Sequence, residues 1–328
     1  MQLRNKQIAP LEHTAELWFA GCVKFSAPTR RFFWLAGLSL SVMAARNVNA
    51  QTNSVTNGFA MPLDLSHGAA LVSVRVNESK LLTFKLDTGF GVTTIHPDLV
   101  ETLQLKPAGD LTIIGIAGDE KAGWYSGATL DFGGTKYSPR RVAVIPSDAQ
   151  RRRRSRDGIL GAGFFRRFVV EINPAKNTLT LREADNFSYT GKGEIVPLSF
   201  RKDTPIVDAA IHFANREPIR ARYEIDSGCD GELCLGHDFV KANQLNEATG
   251  TGRAGSRRGV GGSVDTHHGV LPQFQLGKQK LDDLPANFFQ DGSPVGEGLA
   301  GHIGMGTLRK FKVILDYARR RMILEPLK

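Results

Sequence analysis

Two tripeptides set a carboxylate, a hydroxyl and a glycine at the end of apolar runs. One is Asp87-Thr88-Gly89, entered through Phe84-Lys85-Leu86; the other is Asp226-Ser227-Gly228, entered through Tyr223-Glu224-Ile225. A single copy means little, because Asp, Ser, Thr and Gly are ordinary turn residues. Two copies in matching surroundings suggest two carboxylates brought together. Two carboxylates about 3 Å apart cannot both ionise, so such a pair shares one proton. The ionised member can take a proton from water while the protonated member polarises a carbonyl. This chemistry needs no metal, and neither a metal nor a cofactor is expected.

The surroundings do match. Asp98-Leu99-Val100-Glu101-Thr102-Leu103-Gln104-Leu105 recurs 140 residues later as Asp238-Phe239-Val240-Lys241-Ala242-Asn243-Gln244-Leu245. Gly158-Ile159-Leu160-Gly161-Ala162-Gly163 recurs 143 residues later as Gly301-His302-Ile303-Gly304-Met305-Gly306. The same offset pairs Arg166 with Arg309, Phe168 with Phe311 and Val170 with Val313. An ordered series of this kind marks an internal repeat.

The elements that must deliver the two aspartates alternate with period two. Val72, Val74 and Val76 share one face, and after a turn at Asn77-Glu78-Ser79 the residues Leu82, Phe84 and Leu86 do the same. In the second half Val207, Ala209, Ile211 and Phe213 lead to a turn at 215–218, and Ile219, Ala221, Tyr223 and Ile225 follow. Helical pattern is confined to the short segments 97–104 and 237–244. The expected fold is therefore mostly β, in two similar lobes over 51–190 and 191–328, joined near Ser188–Glu194, where Gly191-Lys192-Gly193 marks a loop.

With both triplets, the hydrophobic-Gly elements and the glycine-rich stretches between them, the chain resembles the aspartic proteases. The likeness is to the pepsin-like and retropepsin-like families, above all bacterial single-chain forms with two halves, and it covers about residues 55–328. The resemblance implies pseudo-two-fold lobes with a cleft between them, and Asp87 and Asp226 as the catalytic pair. Thr88 and Ser227 would lock the pair by hydrogen bonds across to the opposite loop, with Gly89 and Gly228 allowing close approach. Ile159-Leu160-Gly161 and Ile303-Gly304 would brace the loops from behind.

Two glycine-rich stretches are candidate flaps, Gly115-Ile116-Ala117-Gly118 and Gly259-Val260-Gly261-Gly262, though ordinary turns explain either. Trp124 and Tyr125 line the cleft or pack in the core. The residues after the glycines, Phe90 and Cys229, offer no hydroxyl to the carboxylates. That loss raises the pair's pKa values and predicts an optimum near about pH 5–6.5. Cys229 and Cys234 could close a small disulfide or be two small buried residues. His302 departs from the apolar residue expected beside Ile303-Gly304; it either loosens the brace or is satisfied locally. His267-His268 lack partners at metal-site spacing.

Composition sets the remaining bounds. Arg30-Arg31, the apolar run Phe32–Ala45 and Val48-Asn49-Ala50 read as a secretory leader over 1–50, of twin-arginine appearance, or as an uncleaved anchor. Cleavage implies an exported, periplasmic or secreted protein with no membrane span in the mature chain. Removing 1–50 takes six Lys/Arg from 42 and two Asp/Glu from 33, which leaves a mild +5. The run Arg151-Arg152-Arg153-Arg154-Ser155-Arg156 lacks interleaved aromatics, so it reads as a solvated loop and no nucleic acid is expected. The leading expectation is an aspartic endopeptidase, monomeric, acting on peptide or unfolded protein. The alternatives are a two-lobed peptide-binding protein without turnover and an arginine-rich binder of anionic polymers.

Overall fold

The alternation read in the sequence becomes alternating burial. The strand Leu71–Val76 buries Val72, Val74 and Val76 and exposes Ser73 and Arg75, and Leu81–Leu86 buries Leu82, Phe84 and Leu86. A fully buried side chain of this size is worth about 1.5–3 kcal/mol, which fixes the register, since a slip of one residue would turn the valines to solvent. The computed structural model describes residues 58–146, 156–250 and 252–327, all inside the unit Asn53–Lys328. The leader over 1–50 and all of the arginine run 151–156 except Arg156 lie outside the described residues.

Described residues are mostly strand, in three sheets. A nine-stranded sheet carries Asp87 at the end of Leu81–Leu86, and an eight-stranded sheet carries Asp226 at the end of Ile219–Asp226. A six-stranded sheet runs in the order Phe59–Pro62, Thr178–Glu183, Phe168–Asn173, Phe311–Asp316, Arg321–Pro326, Glu194–Pro197. At its centre Val170, Glu171 and Ile172 pair antiparallel with Leu315, Ile314 and Val313.

Helices are short. Segment 237–244 holds the helix His237–Ala242, but 97–104 departs from expectation. It is a 3-10 turn, Pro97–Leu99, that runs into further turns and ends at Gln104 with a left-handed φ of 54°. Gln244 takes the same conformation, φ 52°, at the equivalent place in the repeat. After each hydrophobic-Gly element a short helix begins, Ala162–Arg167 and Met305–Leu308, and drives Phe164, Phe165, Met305 and Leu308 into the core. Among the described residues no helix is long and apolar enough to cross a membrane.

Candidate active site

Each aspartate sits where a buried strand gives way to a turn, and each strand is held by a parallel neighbour. Leu81–Leu86 pairs with Gly158–Leu160, placing Ile159 beside Lys85 and Leu160 beside Leu86, and the Asp87 N–H donates to Leu160 O at 3.0 Å. Ile219–Asp226 pairs with Gly301–Gly304, placing His302 beside Glu224, Ile303 beside Ile225 and Gly304 beside Asp226. Parallel strands buried on both faces are a stiff backing for a loop.

The two loops are tied by four reciprocal hydrogen bonds. Thr88 Oγ1 donates to Ile225 O at 2.6 Å and accepts from the Ser227 N–H at 2.9 Å. Ser227 Oγ donates to Leu86 O at 3.2 Å and accepts from the Thr88 N–H at 3.1 Å. Both side chains are fully buried, so water cannot replace these bonds. Each glycine then faces the opposite carboxylate. A Cβ on Gly89 would stand 2.7 Å from Asp226 Cγ, and one on Gly228 would overlap the Asp87 carboxylate. Only glycine lets each loop lie this close to the opposite carboxylate.

The surroundings of the two carboxylates differ. Lys85 Nζ lies 2.8 Å from Asp87 Oδ2 and donates to Gly228 O at 2.9 Å. Burial nonetheless pushes the Asp87 pKa up, against the pull of Lys85 and with the Asp226 charge adding to the rise. Beside Asp226 stands His302, with Nδ1 3.6 Å from Oδ2. Burial alone would lower the His302 pKa, but Cys229, Asp226 and Glu224 around the ring outweigh it and raise it to about 9. Glu224 is pushed up to about 7 by burial, against the pull of His302. Lys85 and Glu224 escaped the sequence reading. Each lies two positions before its aspartate, on the polar face of the strand, and that parity was the available signal.

The disulfide admitted by the sequence is not formed: Cys229 and Cys234 are free thiols with sulfurs 3.6 Å apart. The register holds them there, because Cys234 lies in Leu233–Leu235 while the Cys229 N–H is committed to Asp226 O at 3.2 Å.

Both glycine-rich stretches are hairpin tips. Gly115 to Gly118 joins Lys106–Gly115 to Gly118–Ser126, and Gly259 to Gly262 joins Ala254–Gly259 to Gly262–Leu276. The tips touch: the Ala117 N–H donates to Val260 O at 3.3 Å, and a Cβ on Gly261 would overlap the Gly118 backbone. Val260 packs on a small cluster of Ile113, Ala122, Ala143 and Ile145, together with Phe90 and Trp124. Phe90 follows the first triplet, so the tips and the Asp87 loop share one apolar cluster. Tyr125 instead packs against the main core. His267 and His268 lie on the strand Gly262–Leu276.

Comparison with known proteins adds one finding. Residues 72–164, which hold Asp87, one hairpin and the Ile159-Leu160-Gly161 brace, match the family model of an aspartyl protease. Among curated proteins none matches the chain. The match supports an aspartic protease family and, with it, peptide substrates.

Proposed function

We propose that the chain is an aspartic endopeptidase that hydrolyses peptide bonds with water activated between Asp87 and Asp226. The observation that carries the reading is the reciprocal bonding of Thr88 and Ser227, which commits two loops 139 residues apart to one site. The ionised member of the pair takes a proton from water as the oxygen attacks the carbonyl carbon. The protonated member gives its proton to the carbonyl oxygen, and the tetrahedral intermediate collapses as the leaving amine is protonated. A raised pKa at Asp87 helps the pair keep its shared proton in mildly acidic solution, in keeping with an optimum near about pH 5–6.5.

The proposal includes two lobes, 51–190 and 191–328, related by a pseudo-two-fold axis and acting as a monomer. It is supported by the six-stranded sheet, whose order takes three strands before residue 184 and three after residue 193 and pairs Val170 with Leu315 at its middle. It also includes export through the leader over 1–50, which rests on Arg30-Arg31 and the apolar run after it. Hairpins 115–118 and 259–262 would act as flaps, a role supported by their meeting in the cluster that contains Phe90.

A second reading, peptide binding without turnover, is favoured by the Lys85 ion pair, which occupies one oxygen of Asp87. Cleavage of an unfolded protein from pH 3 to 8 separates the two. The enzyme reading expects turnover that falls about a thousandfold or more in both Asp87→Asn and Asp226→Asn. A folded wild type that binds peptide and cuts none establishes the second reading.

A further inference from the structure

Two cysteines five residues apart and a histidine distant in sequence converge behind the Asp226 loop. Cys229, Cys234 and His302 each present a ligand-capable atom within 4.8 Å of the other two. The two sulfurs are 3.6 Å apart. Two thiolates bound to one tetrahedral zinc at about 2.3 Å stand roughly 3.7 Å apart, whereas sulfurs joined in a disulfide stand about 2.05 Å apart. The observed separation is too long for a disulfide and suits two co-ligands as well as it suits two thiols in contact.

The cluster rests on rigid backbone. Antiparallel pairing of Leu233–Leu235 with Gly301–Gly304 sets Cys234 directly opposite His302. Cys229 is pinned at both ends, its N–H on Asp226 O and its carbonyl accepting from the Met305 N–H at 2.7 Å. Cys234 is 1% exposed and His302 6% exposed, while Cys229 is half-buried and gives a way in. The ring of His302 is incompletely satisfied. Nδ1 faces Asp226 Oδ2, but Nε2 is buried with no hydrogen-bond partner. A buried nitrogen left without a partner is unfavourable unless something binds it.

We propose that Cys229, Cys234 and His302 form a binding site for one soft divalent cation, zinc foremost. Two sulfurs and an imidazole suit zinc and exclude calcium and magnesium, which prefer oxygen. With Nδ1 turned to Asp226, Nε2 is the nitrogen left for the cation, and Asp226 orients the ring as carboxylates do behind metal-bound histidines. Solvent takes the fourth position. If Asp226 also belongs to the hydrolytic pair, as proposed above, loading changes the pH dependence of cleavage. That consequence rests on the earlier reading; the site itself does not.

The test is a cobalt(II) titration of the full chain in a Cys22→Ser background, with a thiol count confirming that both remaining cysteines are reduced. The expected result is one cobalt per chain, a near-ultraviolet thiolate-to-cobalt charge-transfer band, and loss of that band on adding zinc. Cys234→Ala should abolish the band, and His302→Gln should weaken cobalt binding tenfold or more. Oxidising wild type to the Cys229–Cys234 disulfide should also abolish it, a comparison that survives if the variants fail to fold. Absence of the band in reduced, folded wild type overturns the proposal. So does a band that persists when both cysteines are replaced by alanine. Neither measurement depends on peptide cleavage.

Discussion

Lys85 near the end of one strand and Asp87 just past it form an ion pair of 2.8 Å whose ammonium also holds the Gly228 carbonyl of the opposite loop. One lysine thus touches both halves of the candidate site. At the equivalent place before Asp226 the chain carries Glu224, whose strand neighbour is His302. The two aspartates are alike in backbone setting and unlike in charge setting.

That asymmetry predicts the behaviour of Lys85→Met. Removing the ammonium removes an influence that lowers the Asp87 pKa, so the carboxyl holds its proton to higher pH. The alkaline limb of the pH–rate profile, where the pair loses its shared proton, should move to higher pH, and activity at the alkaline edge should rise relative to activity at the optimum. A limb that stays in place would show that Lys85 does not feel the proton of the pair.

Thr88→Val keeps the shape of the side chain and deletes its hydroxyl. Ile225 O and the Ser227 N–H then lose buried partners, which should cost about 2–4 kcal/mol in denaturant unfolding. Thr88→Ser, which retains the hydroxyl, should cost less than about 1.5 kcal/mol. Equal losses in the two variants would mean that packing, not the cross-bonds, holds the loops.

What the sequence disclosed and what it hid follow from range. Asp87, Asp226 and the bracing elements sit in short motifs repeated at nearly constant offset, so a residue-by-residue comparison finds them. Lys85 was missed because the alternation was read for its apolar face, although Lys85 and Asp87 share the other. Cys229, Cys234 and His302 were weighed as a possible disulfide and a separate oddity. Only the register that sets Cys234 opposite His302 makes them one cluster, and pairing register is a tertiary fact. Contact between Ala117 and Val260 was equally out of reach, since nothing local ties one hairpin tip to another. The 97–104 segment winds as a 3-10 turn and further turns instead of a helix, with N–H groups bonding three residues back, as Val100 does to Pro97 and Gln104 to Glu101.

The touching tips predict a separation of binding from stability. Val260 packs with Phe90 and Trp124 from the tip of a hairpin, away from the main core. Val260→Ser should raise KM about three- to tenfold, the effect of removing roughly one or two buried carbons from a substrate-covering surface, and change unfolding free energy by under about 1 kcal/mol. An unchanged KM would make these hairpins ordinary turns.

Asp87→Asn should gain stability over wild type as pH rises. In the unfolded chain Asp87 ionises near its ordinary 3.8, whereas burial in the folded state holds the proton to higher pH. Between those values the folded state binds more protons than the unfolded one, so the Asp87 contribution is intact below the unfolded pKa and is lost as pH rises through the folded pKa. Asparagine is neutral throughout and escapes that loss, and the pull of Lys85, which works the other way, is outweighed by burial. The Tm of Asp87→Asn minus that of wild type should therefore increase from pH 3 to pH 7. A difference that stays flat or falls over that range would mean that Lys85 and the buried carboxylate form a net favourable pair, and the peptide-binding reading would gain from it, because Asp87 would then serve the fold as an ion rather than the reaction as a shared proton.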